Sequence, residues 1–294
     1  MDISGQGFSK ASSLRRSPAS PRNLLNRVMD LLVFASVALA LLPLLAVLIY
    51  VTVQGASSLS LAIFTQLPPL PNAPPGGGFG NAIQGTLIMV AIGAAISIPF
   101  GVMAAIYLSE FSSGNIPGWI RFATNVLSGV PSIIVGVFTF GVVVLALGFS
   151  GFAGGVALSI LMLPIIVRTT DEALKLVPGE LRQAAVGLGA TKLQTVLRVV
   201  LPAALPAIIT GTTLAIARAA GETAPLLFTA VFWDYWKANP FNGPMASLAV
   251  LVYNFAQVPF ANQLALAWTA SLILVLLVLL TSVASRLATA RRTY

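Results

Sequence analysis

The chain has 294 residues, of which 57% are hydrophobic and only 8% are charged. A soluble domain carries about 25% charged residues because its surface faces water, so this composition excludes a soluble globular protein and predicts an integral membrane protein. The sequence contains no Cys and no His, which excludes thiol chemistry, zinc sites built on those ligands and a Ser-His-Asp triad.

Six segments are long and apolar enough to cross a bilayer core about 30 Å thick as helices. The first follows a basic stretch, but its apolar run exceeds the roughly 7–15 residues of a signal-peptide core, so we expect a retained anchor. The prediction is an all-α membrane protein with about six transmembrane helices. In chain order these are residues 28–53, 83–108, 121–147, 152–168, 203–231 and 264–286.

The distribution of cations predicts the orientation of the chain. Lys and Arg concentrate in the tail 1–27, in the loop 169–202 and in the tail 287–294, whereas residues 54–82 carry no charge. Cytoplasmic loops are enriched in Lys and Arg, so both termini and the loop 169–202 are expected in the cytoplasm, around a transmembrane domain 28–286. The net charge of +8 then reflects topology in the cell inner (plasma) membrane, among lipid, and not nucleic-acid binding.

Two external segments are too long for simple turns. Residues 65–81 are rich in Pro and Gly and predict an extended, irregular loop, with contact to an external partner as an alternative. The apolar stretch within 232–263 is too short to span the membrane comfortably. It is expected either to lie at the interface or to dip back into the protein.

Ser128 and Ser132 lie on either side of Pro131 within the third predicted span. A proline frees a backbone carbonyl inside a helix. The sequence leaves two alternatives open, a break that lines a cavity and a simple kink packed by Ser and Gly.

The cytoplasmic stretch 176–202 predicts two short helices. Pro178 is suited to start the first, Gly187 and Gly189 to interrupt the chain, Thr191 to cap the second, and Pro202 to end or redirect it. Leu and Val alternate with Arg and Lys on these helices. Such faces suit the groove of another protein, although helices that rest on lipid headgroups have the same pattern.

This stretch resembles the motif EAA-x3-G-x9-I-x-LP of binding-protein-dependent ABC importers. Gln stands in place of the motif's Glu and Val in place of its Ile, while every spacing matches. The resemblance implies a coupling helix that docks on a separate ATP-hydrolysing subunit, and Gln183 lacks the charge for any ion pair that the family's Glu makes. The matching residues are Gln183, Ala184, Ala185, Gly189, Val199, Leu201 and Pro202.

Two charged residues, Arg218 and Glu222, lie inside the fifth predicted span. A charge at the bilayer centre costs roughly 2.5–3.5 kcal/mol on insertion scales, so neither side chain should face lipid. Their i,i+4 spacing predicts one shared helix face. The alternatives are a structural ion pair and a site on a translocation path, where Arg218 attracts an anion and Glu222 balances or gates it.

Small residues recur at helical spacing in two of the predicted spans. Such stripes allow helix backbones to approach closely in a membrane. We expect both stripes to face other helices of the bundle. They consist of Gly93, Ser97, Gly101 and Ala105 in the second span and of Gly211, Ala215 and Ala219 in the fifth.

The segment RAAGETAPL at 218–226 resembles the RA-x-GET signature of phosphate ABC-importer permeases. The segments 106–111, 128–138 and 163–178 resemble the same family, and RTTDEAL within the last favours the PstA type over the PstC type. The resemblance implies the type I ABC importer permease fold and phosphate import by alternating access. The partners that it implies are a second permease of PstC type, two ATPase subunits and an external phosphate-binding protein.

The chain has no G-x4-G-K-[ST] sequence and therefore no Walker A phosphate loop. We expect a transporter subunit without its own ATPase site or cofactor, which relies on ATP bound by the partner subunits. An Arg side chain can bind phosphate through two hydrogen bonds, so the candidate path residues are Arg218, Glu222, Ser128 and Ser132. Permeases for sulfate or molybdate and an ion-gradient-driven secondary transporter remain as alternatives.

Overall fold

The computed structural model describes residues 21–74 and 76–290. The predicted cytoplasmic location of the tail residues 1–20 and 291–294 therefore concerns parts of the chain outside the described residues. Within the described ranges the chain folds into helices joined by turns and loops, without a named β-strand. The all-α prediction is confirmed.

The chain divides into two compact units, residues 1–50 and 51–294. Helix α1 (Pro21–Ala56) supplies the described part of the first unit and continues into the second. Its segment Leu24–Ala56 has a mean hydropathy of 2.8 over its most apolar window. This stretch is long and apolar enough to cross a bilayer, as predicted.

The second unit contains helices α2 to α13, and π-helical turns follow α3, α5 and α9. In chain order the helices are α2 (Ala62–Thr65), α3 (Gly80–Ile106), α4 (Ile116–Gly129), α5 (Ser132–Thr139), α6 (Leu145–Leu147), α7 (Gly151–Lys175), α8 (Gly179–Gly187), α9 (Lys192–Thr195), α10 (Leu201–Ala220), α11 (Ala224–Thr229), α12 (Leu248–Ala256) and α13 (Ala261–Ala290). The π-turns are Tyr107–Phe111, Phe140–Val144 and Val196–Val200. Four apolar stretches of this unit are long enough to cross a membrane, namely Gly80–Phe111, Gly151–Lys175, Lys192–Ala220 and Ala261–Ala284.

Small residues bring α3, α7 and α10 close together. The predicted stripe on α3 is buried along its whole length, and a Cβ atom added to Gly101 would lie 2.8 Å from Cγ2 of Ile166 on α7. On α10, Gly211 faces the side chain of Thr169. Larger side chains at Gly101 and Gly211 would push the helices apart. Both stripes therefore pack inside the bundle, as predicted.

The third predicted span is broken and not continuous. Helix α4 ends at Gly129, and the next helical stretch, Ser132–Leu147, is bent from it by 99°. Pro131 has no N–H to donate and disfavours helical backbone at the residue before it, and Val130 accordingly has an extended ψ of 128°. The prediction of one helix over 121–147 is therefore wrong, and a bend this sharp is a break rather than a simple kink.

The fifth predicted span, 203–231, is wrong at both ends. Its helix begins at Lys192 and ends at Ala220, and Pro225 lies in the first turn of the separate helix α11. Because a proline is tolerated at the start of a helix but not in its interior, the chain ends one helix and starts another. Glu222 consequently lies outside both helices, in the break between them.

Pro202 does not end the second of the two helices predicted for 176–202, which rules out the first of the two roles expected of it. The π-turn Val196–Val200 connects α9 directly to α10, and Pro202 lies in the first turn of α10. A wide π-turn at this point displaces the carbonyls that the proline ring would otherwise clash with. The chain therefore runs as one long helical stretch from the loop 169–202 into the bundle.

Helix α7 also exceeds its predicted end at residue 168, since it continues to Lys175. The first residues of the predicted loop 169–202 are thus helical. This extension places the acidic residues Asp171 and Glu172 on the last turns of a membrane-length helix.

The two segments that are predicted to be external pack against the bundle. Helix α12 is largely buried beside α3 and α13, and the backbone N–H of Leu248 donates to Oγ1 of Thr86 on α3. The apolar stretch thus dips into the protein. The Pro/Gly-rich loop is held by Asn262, whose amide donates to the carbonyls of Leu70 and Ala73.

Candidate functional site

Arg218 and Glu222 form a loose ion pair at the break between α10 and α11. The distance between Nε of Arg218 and Oε1 of Glu222 is 3.7 Å, and their side chains are 64% and 17% exposed. That distance is too long for a hydrogen bond. The guanidinium therefore keeps its donor groups available to a ligand, while the carboxylate is largely enclosed.

The helix that carries Arg218 packs at mid-height of the bundle. Ala215 and Ala219 lie in a buried cluster with Met89 and Met162, which are near the middle of α3 and α7. Arg218 is exposed between the buried residues Ala217 and Ala219. The pair thus lies beside a cluster that includes residues from the middle of α3 and α7, where an ionisable residue has no bulk water to solvate it unless a cavity supplies it.

The break between α4 and α5 and the break between α10 and α11 both lie close to a contact between the backbones of α5 and α11. A Cβ atom added to Gly136 of α5 would lie 2.7 Å from Cα of Pro225 of α11. Ser132 starts α5 one turn before Gly136, and Glu222 precedes Pro225 by three residues. Interrupted helices inside a membrane are tolerated where they line a cavity or are buried in protein, so this region is the best structural candidate for a path.

Ser128 occupies a different position from the other candidate path residues. It is exposed near the end of α4, and its hydroxyl donates to the carbonyl of Thr124 at 2.9 Å. It also lines a cavity that Arg168 and Lys175 share. The structure records no contact of Ser128 with Arg218 or Glu222, so its role in a path stays a prediction.

The residues that match the EAA motif lie on α8, in the turn after it, and where the π-turn Val196–Val200 meets α10. Helix α8 begins after Pro178, and Gly189 has a φ of +84°, a conformation that glycine adopts without a steric penalty. Thr191 caps α9 as predicted, and Gln194 completes a reciprocal capping box.

Four of the seven motif residues line a shallow apolar groove. Ala185 is buried and Leu201 half-buried, while Gln183, Ala184 and Pro202 are exposed. Leu188, between α8 and Gly189, is 90% exposed. The groove has a volume of about 490 Å³ and is lined by Leu181, Ala184, Ala185, Leu188, Gly189, Ala190, Gln194, Arg198 and Val199. An exposed leucine beside an apolar groove is typical of a docking surface.

Arg182 fixes α8 to the bundle, which the sequence pattern did not reveal. Its terminal nitrogens donate to the carbonyls of Val177 and Leu174 at 2.6 and 2.8 Å. One of them also donates to Oε1 of Glu110, in the π-turn after α3, at 2.8 Å. The partners lie 72 residues apart, so no local spacing signals the pair.

A second cluster of charges joins α4 to the end of α7 and was also not predicted. Arg121 donates to both carboxylate oxygens of Asp171, from Nε at 2.9 Å and from a terminal nitrogen at 3.0 Å. Lys175 donates to the same carboxylate. Arg168, which as an isolated cation would be expected only to extend to the headgroups, pairs with Glu172 at 3.0 Å. The i,i+4 spacings of Asp171 with Lys175 and of Arg168 with Glu172 were the signals available in the sequence.

The chain is similar to known transport proteins over most of its length. Residues 97–294 match the family model described as binding-protein-dependent transport system inner membrane component. A phosphate transport system permease protein PstA of Yersinia pestis is 40% identical over 95% of this chain and 94% of its own length. A PstA protein of Haemophilus influenzae is 40% identical over 89% of this chain and 93% of its own.

A solved structure shares the fold. A chain of a bacterial alginate ABC transporter, in complex with an alginate pentasaccharide-bound periplasmic protein, has a TM-score of 0.66 at 14% identity. The match covers 94% of this chain and 99% of that chain. At this identity the likeness concerns the fold, which is that of type I ABC importer permeases, as the EAA-like motif implied.

Proposed function

Because the chain belongs to the PstA family of phosphate transport permeases, among the binding-protein-dependent inner membrane components, we propose that it is a permease subunit that moves inorganic phosphate into the cytoplasm. The observation that carries this proposal is Arg218, an exposed guanidinium at a helix break in mid-bundle, within the RA-x-GET segment. Transport is driven by ATP that a separate subunit hydrolyses.

The loosely held pair gives phosphate a recognisable binding chemistry. The terminal nitrogens of Arg218 bind two phosphate oxygens side by side. Glu222 accepts a hydrogen bond from a protonated phosphate oxygen, which a fully deprotonated oxyanion such as sulfate lacks. Ser132, at the neighbouring break, is the further candidate donor on this path, and Ser128 lies nearer the end of the bundle that carries α8.

The EAA-like residues couple this path to ATP hydrolysis. The apolar groove around Leu188 receives part of an ATPase subunit, and Arg182 passes the resulting movement to α3 through Glu110. The complete importer contains a PstC-type permease, two ATPase subunits and an external phosphate-binding protein, and it works by alternating access. In this arrangement both termini and the loop 169–202 face the cytoplasm of a cell whose inner membrane the chain crosses several times.

Uptake of labelled phosphate by cells that lack the gene, with and without a plasmid copy, tests this function. We expect ATP-dependent phosphate uptake that excess sulfate or molybdate does not reduce. Stronger competition by sulfate or molybdate than by phosphate would assign the permease to another oxyanion. Uptake that survives inactivation of the ATPase subunit would instead indicate a secondary transporter.

A charge reversal separates the two roles of the mid-bundle pair. The double variant Arg218→Glu with Glu222→Arg retains an ion pair but displaces the cation. We expect it to insert normally and to transport no phosphate. Restored uptake would show a structural pair and would contradict direct contact between Arg218 and the anion.

A further inference from the structure

The cavity that Ser128 lines is basic and lies at the end of the bundle that carries α8. It is an open cleft of about 400 Å³ between α4 and α7, which is several times the volume of one water molecule. Three cations line it, Arg121, Arg168 and Lys175, together with the polar side chains of Asn125 and Ser128. Such a concentration of donor groups around an open cleft fits an anionic ligand.

The three cations keep donor groups that their acidic neighbours do not use. Arg121 gives Nε and one terminal nitrogen to Asp171, and Arg168 gives only Nε to Glu172. A guanidinium has five N–H donors and an ammonium has three. Several donors therefore remain in the cleft after every ion pair has formed.

The two acids of the cleft differ in how firmly they are held. The side chain of Asp171 is 7% exposed and bonds to both Arg121 and Lys175, so an arriving anion meets a neutralised carboxylate. Glu172 is 59% exposed, and its only ion-pair partner among the described residues is Arg168, itself 62% exposed. Exposed ion pairs of this kind contribute little free energy, so an anion can displace Glu172 from Arg168 at small cost.

We propose that this cleft is a binding site for a phosphoryl group, in which Arg168 exchanges Glu172 for the ligand. Nε of Arg168, which Glu172 releases, and one terminal nitrogen hold two phosphoryl oxygens, and Arg121 and Lys175 supply further charge-assisted hydrogen bonds. The bound group connects α4 to α7 and so holds the first half of the broken span. The ligand is either inorganic phosphate from the aqueous phase or the phosphate of an anionic lipid headgroup, which share this chemistry.

Two single substitutions with opposite expected effects test the site. The assembled importer, without the external binding protein, is placed in nanodiscs of zwitterionic lipid, and its thermal unfolding is followed against inorganic phosphate. A ligand that binds the folded state raises the unfolding temperature with its concentration. We expect Arg168→Gln to raise the apparent Kd for this stabilisation about tenfold, because it removes the charged guanidinium while Arg121 and Lys175 still bind the ligand. Glu172→Gln removes the competing carboxylate and should lower the apparent Kd about threefold.

A parallel series in nanodiscs that contain phosphatidylglycerol distinguishes the two sources. If a lipid headgroup is the ligand, the opposite effects of the two substitutions appear in the stabilisation by phosphatidylglycerol and not in that by inorganic phosphate. Arg168→Lys, which keeps the charge but loses the planar fork, supplies a second variant in case Arg168→Gln does not fold, and an intermediate Kd is expected.

The proposal is overturned if both substitutions leave the phosphate and the lipid dependence unchanged, or change them in the same direction, since a purely structural pair loses the same interaction either way. The outcome is independent of the proposed transport function, because Arg218 and Glu222 are intact in these variants. Normal ATP-driven uptake without the opposite effects would defeat this site alone.

Discussion

Asp171 and Glu222 are both acidic residues beside cations, but the protein holds them in different ways. Asp171 at the end of α7 receives hydrogen bonds from Arg121 and Lys175, at distances of 3.0 Å or less. Glu222 at mid-bundle has a single ion-pair contact of 3.7 Å. The first carboxylate is saturated by its partners, whereas the second pair leaves hydrogen-bonding capacity unused.

This is the difference expected between a charge that holds helices together and a charge that awaits a ligand. A poorly exposed carboxylate is tolerated when it is fully paired and hydrogen-bonded, which Asp171 achieves by joining α4 to α7. A loosely paired ion inside a membrane protein brings little stability in return for its cost. The presence of the loose Arg218–Glu222 pair is better explained by a ligand that binds to both residues. Substitutions can test this contrast with Asp171.

The largest expected effect comes from Arg218→Gln. We expect phosphate uptake to fall about 100-fold, because two charge-assisted hydrogen bonds to the anion are removed. The thermal stability of the purified importer should change little, since the ion pair is long and the guanidinium is exposed. Labelled-phosphate uptake and thermal unfolding of the same preparation measure the two quantities.

A matched control is Arg27→Gln, which removes an exposed cation from α1. It should leave uptake near the level of the unsubstituted protein. The contrary outcome is a large loss of stability in Arg218→Gln, with uptake reduced only in proportion to the amount of folded protein. Arg218 would then be a structural cation, like those that pair with Asp171.

Asp171→Asn should show the opposite pattern. The substitution leaves Arg121 and Lys175 without their shared carboxylate and weakens the connection between α4 and α7. We expect a loss of about 2 kcal/mol in the free energy of unfolding, less than for a fully buried pair because both cations are partly exposed. Reversible unfolding in detergent measures this loss. Phosphate uptake per folded molecule should stay within about twofold of that of the unsubstituted protein, since the Asp171 carboxylate has no hydrogen to donate to the anion.

The sequence predicted the parts of this fold that depend on local chemistry. Apolar runs located the membrane helices, the stripe of Gly93, Ser97, Gly101 and Ala105 identified a packed face, and Thr191 was correctly expected to cap a helix. Each of these features is determined by residues within a few turns of one another, so composition and spacing are sufficient to find it.

The breaks and the charge cluster depend on distant residues and were predicted poorly. The fifth span was extended past Ala220 because its apolar character continues, although Gly221 and Pro225 favour a new start. One of the two partners of Asp171, Arg121, lies 50 residues away on α4. Hydropathy measures how well a segment suits lipid, but it does not report where a neighbouring helix, such as α5 against Pro225, allows the backbone to break.

Glu222→Gln examines the loose pair from its acidic side. A glutamine amide presents both donors and an acceptor, so it no longer favours the protonated oxyanion over one without a proton. We expect the preference for phosphate over sulfate to fall about tenfold, the equivalent of one hydrogen bond to a charged group. Competition of sulfate with labelled-phosphate uptake measures this ratio, and an unchanged ratio would mean that Glu222 does not contact the anion.

The smallest effect is expected for Lys175→Gln, and it tests whether Asp171 is saturated. Lys175 is half-exposed and one helical turn from Asp171, whereas Arg121 binds both oxygens of the carboxylate by itself. An i,i+4 pair on a helix contributes about 0.5 kcal/mol, so the free energy of unfolding should fall by about that amount, well below the loss in Asp171→Asn. If Lys175→Gln costs as much as Asp171→Asn, the bidentate contact from Arg121 does not suffice, and Asp171 depends on both cations to remain paired.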